Sequence, residues 1–288
     1  MRITNSMLVQ NALRGMRARL GDLSQAQSRA TTLRRLNAMS DDPVSGAELS
    51  RIDSTLRDVA QYRRNATSAR TRLSVEDTVL TSMRKLVSQA RTLATSVAAL
   101  ADVDPARQRA LQQLGDVQEQ LVALGNTKIG GEYLFGGAKT ATPPFLSDGT
   151  YVGDSTVRSV QLDQGVSIET VHAGDHSIGG ALLSLTTLHQ SVATETEAQI
   201  TASVSNLRAY EDQLLSDQAE VGSRLQVIAE ADTRLVQTNS STLDRRDALD
   251  AVDPAEALVT VQSAQTALER AYAVVGRVMQ TNLLDYLK

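Results

Sequence analysis

Three groups of residues in this chain have types and spacings from which chemistry could be built. Asp41-Asp42 is an adjacent carboxylate pair before Pro43, in the stretch MSDDPVSGAEL. His172-x3-His176 is the histidine pair with metal-like spacing. Gly131-x4-Gly136-Gly137-Ala138-Lys139-Thr140 has the outline of a phosphate-binding loop. Each reads better as structure. Asp42-Pro43 recurs as Asp104-Pro105 and Asp253-Pro254, each time before a helical run. There Asp serves as the N-cap and Pro as the first helical residue. In Asp253-Pro254-Ala255-Glu256 the Glu also takes the third helical position of a capping box. The two histidines fall on a strand end and a Gly-Asp turn, where a spacing of four does not bring both rings to one face. They are expected to be solvated loop residues. In the glycine-rich stretch the Lys is displaced from the second Gly and the spacer EYLF is strand-like. Its glycines suit a β edge packed on a helix end. With no cysteine, no Gly-x-Ser-x-Gly elbow and no marked Ser-His-Asp set, no catalytic residue, cofactor or metal site is expected.

Composition points the same way. Aromatic residues make up 3% of the 288-residue chain and Trp is absent, so an aromatic-lined pocket would be poorly supplied. Ala, Leu, Val, Gln, Ser, Thr and Arg favour helices packed along narrow seams, and an elongated molecule is expected. The net charge of -4 conceals an uneven distribution: residues 1–40 carry seven Arg and one acidic residue, while residues 126–250 carry eight bases and seventeen acids. A basic start of this kind suits a solvated helix flank, a targeting segment or a nucleic-acid-binding arm. No apolar run approaches the roughly 18 residues that a membrane span requires, and Met1 to Gln10 lacks the apolar core of a cleaved secretory signal. Membrane insertion is not expected.

Seven-residue periodicity marks both ends. Ile3, Met7, Leu13, Met16, Leu20 and Leu23 form an apolar face that continues through Gln27 and Ala30. Val261, Gln265, Leu268, Tyr272, Val275, Met279, Asn282 and Tyr286 repeat the pattern at the far end, with Ala264, Ala271 and Val278 widening it. A lone helix exposing such a stripe is marginal in water, so the two ends are expected to pair with each other or with a neighbouring molecule. Further helix is expected over 44–103, 105–124 and 182–243. Residues 125–180 differ, holding eleven of the 17 glycines and four of the eight aromatics. Val157 to Thr170 reads there as a β-hairpin turning at Asp163-Gln164-Gly165. The expected fold is therefore mainly α, an antiparallel bundle of long helices with paired terminal helices and a small inserted β domain. Its expected divisions are 1–40 with 253–288, 41–129 with 181–252, and 130–180.

The motifs also carry a resemblance. MRITNSML at the start, SDDPV at 40–44, QYRRN at 61–65, GEYLFGG at 131–137 and PPF at 143–145 occur in this order. EVGSRL at 220–225, VDPAEA at 252–257 and NLLDYLK at 282–288 complete the series. Together they resemble the flagellin superfamily, and within it the hook-filament junction family. The resemblance implies a secreted structural protein of the bacterial flagellum, exported without a cleaved signal, whose terminal helices order on assembly. It implies as partners the first hook-associated protein, flagellin, further copies of itself and an export chaperone held by the stripe from Val261 to Tyr286. A filament flagellin is the nearest alternative, and a nucleic-acid-binding coiled coil using Arg14, Arg17, Arg19 and Arg29 a more distant one. One departure stands out. The family usually carries a Ser/Thr-Gly pair ahead of SDDP, whereas Thr31-Thr32-Leu33-Arg34-Arg35 has no Gly. The first helix is accordingly expected to run on toward Asn37.

Overall fold

The computed structural model describes residues 5–39, 42–101, 103–194 and 196–286. The chain is mainly α, as expected. Its helices are α1 (Asn5–Thr32), α2 (Pro43–Val97), α3 (Pro105–Gly125), α4 (Gly180–Thr194), α5 (Glu197–Asp250) and α6 (Pro254–Tyr286). Between α3 and α4 lie two antiparallel pairs, β1 (Lys128–Ile129) with β2 (Glu132–Tyr133) and β3 (Ser159–Asp163) with β4 (Val166–Glu169). A π-helical turn, Asp175–Gly179, runs directly into α4. The chain divides into two compact units: Met1–Asp58 with Thr238–Lys288, and Val59–Gln237. Helices α2 and α5 each supply residues to both.

The Asp-Pro pairs start three of the helices. Asp42 Oδ1 accepts the amides of Val44 and Ser45, each at 3.2 Å, and Oδ2 accepts the Ser45 hydroxyl at 2.6 Å. The Ser45 hydroxyl and amide hold the Asp42 carboxyl below the usual carboxylate range. Asp104 Oδ1 accepts Ala106 N–H and Asp253 Oδ1 accepts Ala255 N–H, both at 2.7 Å. Asp41 lies outside the described residues.

Three helix boundaries depart from the sequence reading. The run expected over 44–103 stops at Val97, where residues 98–100 form a turn. The first helix does not run on toward Asn37 but ends at Thr32, with Leu33 in the left-handed region at φ 53°. The run from 182 to 243 is likewise broken, α4 stopping at Thr194 and α5 starting at Glu197. The restart has its own cap. Gln199 Oε1 accepts both the amide and the hydroxyl of Thr196, at 3.1 and 2.7 Å, so the orphan donor at the helix start is satisfied locally.

The core of the second unit follows a strict heptad. On α2, Ala66, Leu73, Leu80, Val87 and Ala94 recur every seven residues, and Ala69, Met83, Ala90 and Val97 form the second row, all buried. Glu76 occupies one place in that second row and is also fully buried. On α5, one row is apolar, Ile200, Leu207, Leu214, Val221, Ile228 and Leu235. The other contains Ser203, Tyr210, Asp217 and Arg224 in succession.

Each polar member of that row meets the stretch that runs from β4 through the π-helical turn into α4. The hydroxyls of Ser203 and Ser191 lie 2.9 Å apart, and the Tyr210 hydroxyl donates to the His176 carbonyl at 3.4 Å. Asp217 sits 3.9 Å from His176 Nε2, and an Arg224 Nη2 N–H donates to Glu169 at 2.7 Å. As the α5 numbers rise, the partner numbers fall, so that stretch is antiparallel to α5. A seam row made of polar residues fixes this register, because a slip of one turn would leave several buried polar groups unpaired.

The β residues have no core of their own. Phe135, Phe145, Leu162 and Ile178 are buried in the same apolar cluster as the α2, α3 and α5 rows. Arg72 of α2 and Arg158 both bind Glu132 Oε2, at 2.7 and 3.1 Å, and hold the Glu132 carboxyl below its ordinary range. His172 departs from expectation. It is not a solvated loop residue but lies between two carboxylates from different helices, Glu76 and Glu220. Among the described residues, no group of three or more His, Cys, Asp or Glu is placed to hold a metal.

Candidate assembly interface

In the first unit α1 and α6 pack side by side and antiparallel. Ala12, Gly15, Met16 and Arg19 line a groove with Ala267, Arg270, Ala271 and Val274. Nearer the other end, Ala26 and Arg29 meet Asp253, Glu256, Ala257 and Thr260. The inward row of α6 alternates steps of four and three through Ala257, Val261, Ala264, Leu268, Ala271, Val275 and Val278. Of these Ala257 and Leu268 are buried and the others half-buried. Alanine at alternate places up to 271 lets the axes approach the bulkier Leu13, Met16 and Leu23 of α1, which are half-buried.

A clasp joins the two helix breaks of this unit. Arg35 N–H donates to the Asp250 carbonyl at 2.7 Å, and Val252 N–H donates to the Leu33 carbonyl at 3.3 Å, forming a short antiparallel bridge. Asp250 reinforces it. Its Oδ1 accepts Leu36 N–H at 2.9 Å, while Oδ2 lies 3.3 Å from Arg34 Nε. Arg35 spans the junction, donating to the Leu249 carbonyl at 2.9 Å and to the Ser45 hydroxyl at 3.1 Å. These bonds hold Leu33 left-handed without a glycine, against a conformational cost of about 1–2 kcal/mol. Replacing Leu33 with Gly is expected to raise the thermal stability of this unit by up to about 1 kcal/mol, with part of the strain relief offset by the freer unfolded chain. Leu33→Val should lower it by at least about 1 kcal/mol, since a β-branched residue tolerates positive φ poorly. Thermal melts of the two variants check both signs.

Comparison with known proteins finds several that this chain resembles. Residues 3–140 match the bacterial flagellin N-terminal helical region. The chain is also similar to flagellar hook-associated protein 3 of Escherichia coli (strain K12), with 28% identity over 179 residues. The match covers 61% of this chain and 56% of that protein, little more than half its length. The crystal structure of Bacillus cereus FlgL superposes with a TM-score of 0.59 at 20% identity, covering 68% of this chain and 98% of that one. The flagellar junction protein FlgL from Legionella pneumophila gives a TM-score of 0.55 at 14% identity, with 72% and 100% covered. The two solved structures share the fold, and the similarity to hook-associated protein 3 agrees with the resemblance drawn from the motifs.

On this pair the predicted seam residues divide. Leu13, Met16 and Leu23 of α1 and Val261, Leu268 and Val275 of α6 turn toward the partner helix. Met7 and Leu20 face outward, 55% and 51% exposed, as do Tyr272 at 53% and Met279 at 45%. Ile3 lies outside the described residues, as does the Tyr286 side chain. Leu258, Gln265, Tyr272 and Met279, spaced seven apart, therefore make a second stripe on α6 that the pair leaves open. Of the N-terminal arginines, Arg14 donates to Asn11 and Arg19 pairs with Asp22 on the same helix, while Arg34 and Arg35 belong to the clasp. The sequence marked Leu33, Arg34 and Arg35 only as a stretch lacking a glycine, and Asp250 and its pairing with them were missed. Their signal is indirect, two helix breaks at similar distances from the two ends of the sequence.

Proposed function

We propose that this chain is a structural adaptor of the bacterial flagellum, assembling with copies of itself at the tip of the hook and joining hook-associated protein 1 to the flagellin filament. It acts outside the cell by assembly and not by catalysis, after export without a cleaved signal, and an export chaperone covers α6 beforehand. The observation that carries this reading is the outward stripe of Leu258, Tyr272 and Met279 on a two-helix pair whose inner face is already used. Apolar positions at a spacing of seven suit a further helix laid alongside. Gly15, Gly21 and Gly276 support it. Each is interior to α1 or α6 with open space where a Cβ would stand. Each weakens its helix by about 1 kcal/mol relative to Ala, so the pair gains most from added neighbours.

The test is complementation in cells lacking the gene. Such cells are expected to release flagellin monomers without building filaments, and the wild-type chain to restore filaments and swimming. Tyr272→Asp should fold normally, because the side chain is exposed, yet fail to restore them or to bind the chaperone. Normal motility and chaperone affinity in that variant would defeat the role given to the stripe. Loss of flagellin from the medium on deletion would instead mark the chain as the filament subunit, the reading that the flagellin family match leaves as alternative.

A further inference from the structure

His172 lies in the segment that returns from β4 to the π-helical turn, and both of its ring nitrogens face carboxylate oxygens. Nδ1 is 2.7 Å from Glu76 Oε1 on α2, and Nε2 is 3.2 Å from Glu220 Oε2 on α5. A carboxylate oxygen offers only lone pairs, so both contacts are hydrogen bonds at once only when the ring is doubly protonated. The surroundings suit a cation. Glu76 is fully buried in the α2 seam row, its Oε1 also accepts the His172 amide at 2.9 Å, and its Oε2 has no partner among the described residues. Arg224 of α5 faces the same cluster, binding Glu220 at 2.6 Å and Glu169 of β4 at 2.7 Å. The same segment makes a weaker second contact, His176 Nε2 with the buried Asp217 at 3.9 Å.

We propose that His172 is a proton-operated lock that ties the return segment, and through it the β region, to α2 and α5. When the imidazolium releases a proton to solvent, one N–H is lost. Nδ1 keeps its hydrogen, because removing it would set a lone pair against the fully buried Glu76 carboxylate. Nε2 is the position released, since the exposed Glu220 can turn to water and keeps Arg224. The lock to α5 then opens while the contact to α2 remains.

The Glu76 contact raises the His172 pKa above its ordinary value of 6.5, with Glu220 adding to it against burial and Arg224. Glu220 shifts the opposite way, its carboxyl held below the ordinary 4.5 chiefly by His172. For the histidine, whose folded pKa is raised, the stabilisation is complete below 6.5 and is lost as pH rises through the folded value. For Glu220, whose folded pKa is lowered, the stabilisation is present above 4.5 and is lost as pH falls through the folded value. The lock is therefore tightest between those two ordinary values and opens on the alkaline side.

The test uses the full chain. Nitrogen-15 spectra of the imidazole should show His172 doubly protonated at neutral pH and titrating above the ordinary histidine value. Hydrogen exchange of residues 170–180, corrected for intrinsic rate, should lose protection about tenfold or more between about pH 6 and about pH 9. His172→Gln should flatten that dependence. Glu220→Gln, at an exposed position, keeps the fold and should lower the His172 titration and weaken the response even if His172→Gln fails to fold. Titration of His172 at or below the ordinary value, or an unchanged pH response in Glu220→Gln, overturns the proposal.

Discussion

Phe145→Ala is expected to destabilise the Val59–Gln237 unit by about 3–5 kcal/mol, the usual cost of deleting a large buried aromatic side chain. Phe145 is 2% exposed, and its ring stands 5.0 Å from that of Tyr151 in a tilted pair. Its backbone is clamped by Asn126, which donates to the Phe145 carbonyl at 2.9 Å and accepts its amide at 3.1 Å. The variant keeps those bonds, so the loss isolates the ring. Urea unfolding should show a lower midpoint with little change in slope. Gly125 supplies an internal control. A Cβ there would lie 2.5 Å from the Phe145 ring, so Gly125→Ala should cost about 1–3 kcal/mol although alanine is the better helix former. With the ring already gone, the same change should cost much less, Ile178 Cγ2 at 3.2 Å being the nearest approach left. Additive losses in the double variant would show that Gly125 is required for another reason.

Asp250→Ala should open the clasp. The change removes the acceptor of Leu36 N–H and the partner of Arg34 while leaving the Asp250 carbonyl, and with it the bond to Arg35, in place. Asp250 is 5% exposed, so most of the effect comes from the unsatisfied amide, about 1–3 kcal/mol. The half-exposed Arg34 adds little. Amide exchange in residues 33–37 and 250–253 should quicken by roughly 10- to 100-fold, with the rows of the other unit unchanged. Asp250→Asn, which keeps an acceptor for Leu36, should show a smaller effect. Equal acceleration throughout the chain would mean that the clasp is no local element.

The periodic parts of this fold were legible in the sequence, and the long-range parts were not. A pattern of fours and threes located both terminal helices, but Val261, Leu268 and Val275 are compatible with either flanking row. The alanine row at 264 and 271 turns inward because α1 supplies the bulk, which tyrosine at 272 would duplicate. The end of α1 at Thr32 depends on residues 249–252, and no local rule places a left-handed leucine there. The restart of α5 was legible, since Thr196-Glu197-Ala198-Gln199 is a capping-box signature that the apolar pattern of 182–243 overrode. His172 could not be placed at all from its own neighbourhood, because Glu76 lies 96 residues away.

The clasp also bears on the order of events during synthesis. Arg35 and the Leu249 carbonyl are 214 positions apart, so the pairing of α1 with α6 has a very high contact order. At the usual pace of about 5–20 residues per second, α1 waits roughly 10–40 s for its partner to leave the ribosome. The Val59–Gln237 unit closes entirely on residues made before that point. Vectorial synthesis therefore presents a cell with a chain whose middle can fold while its first helix still has no α6 to pair with.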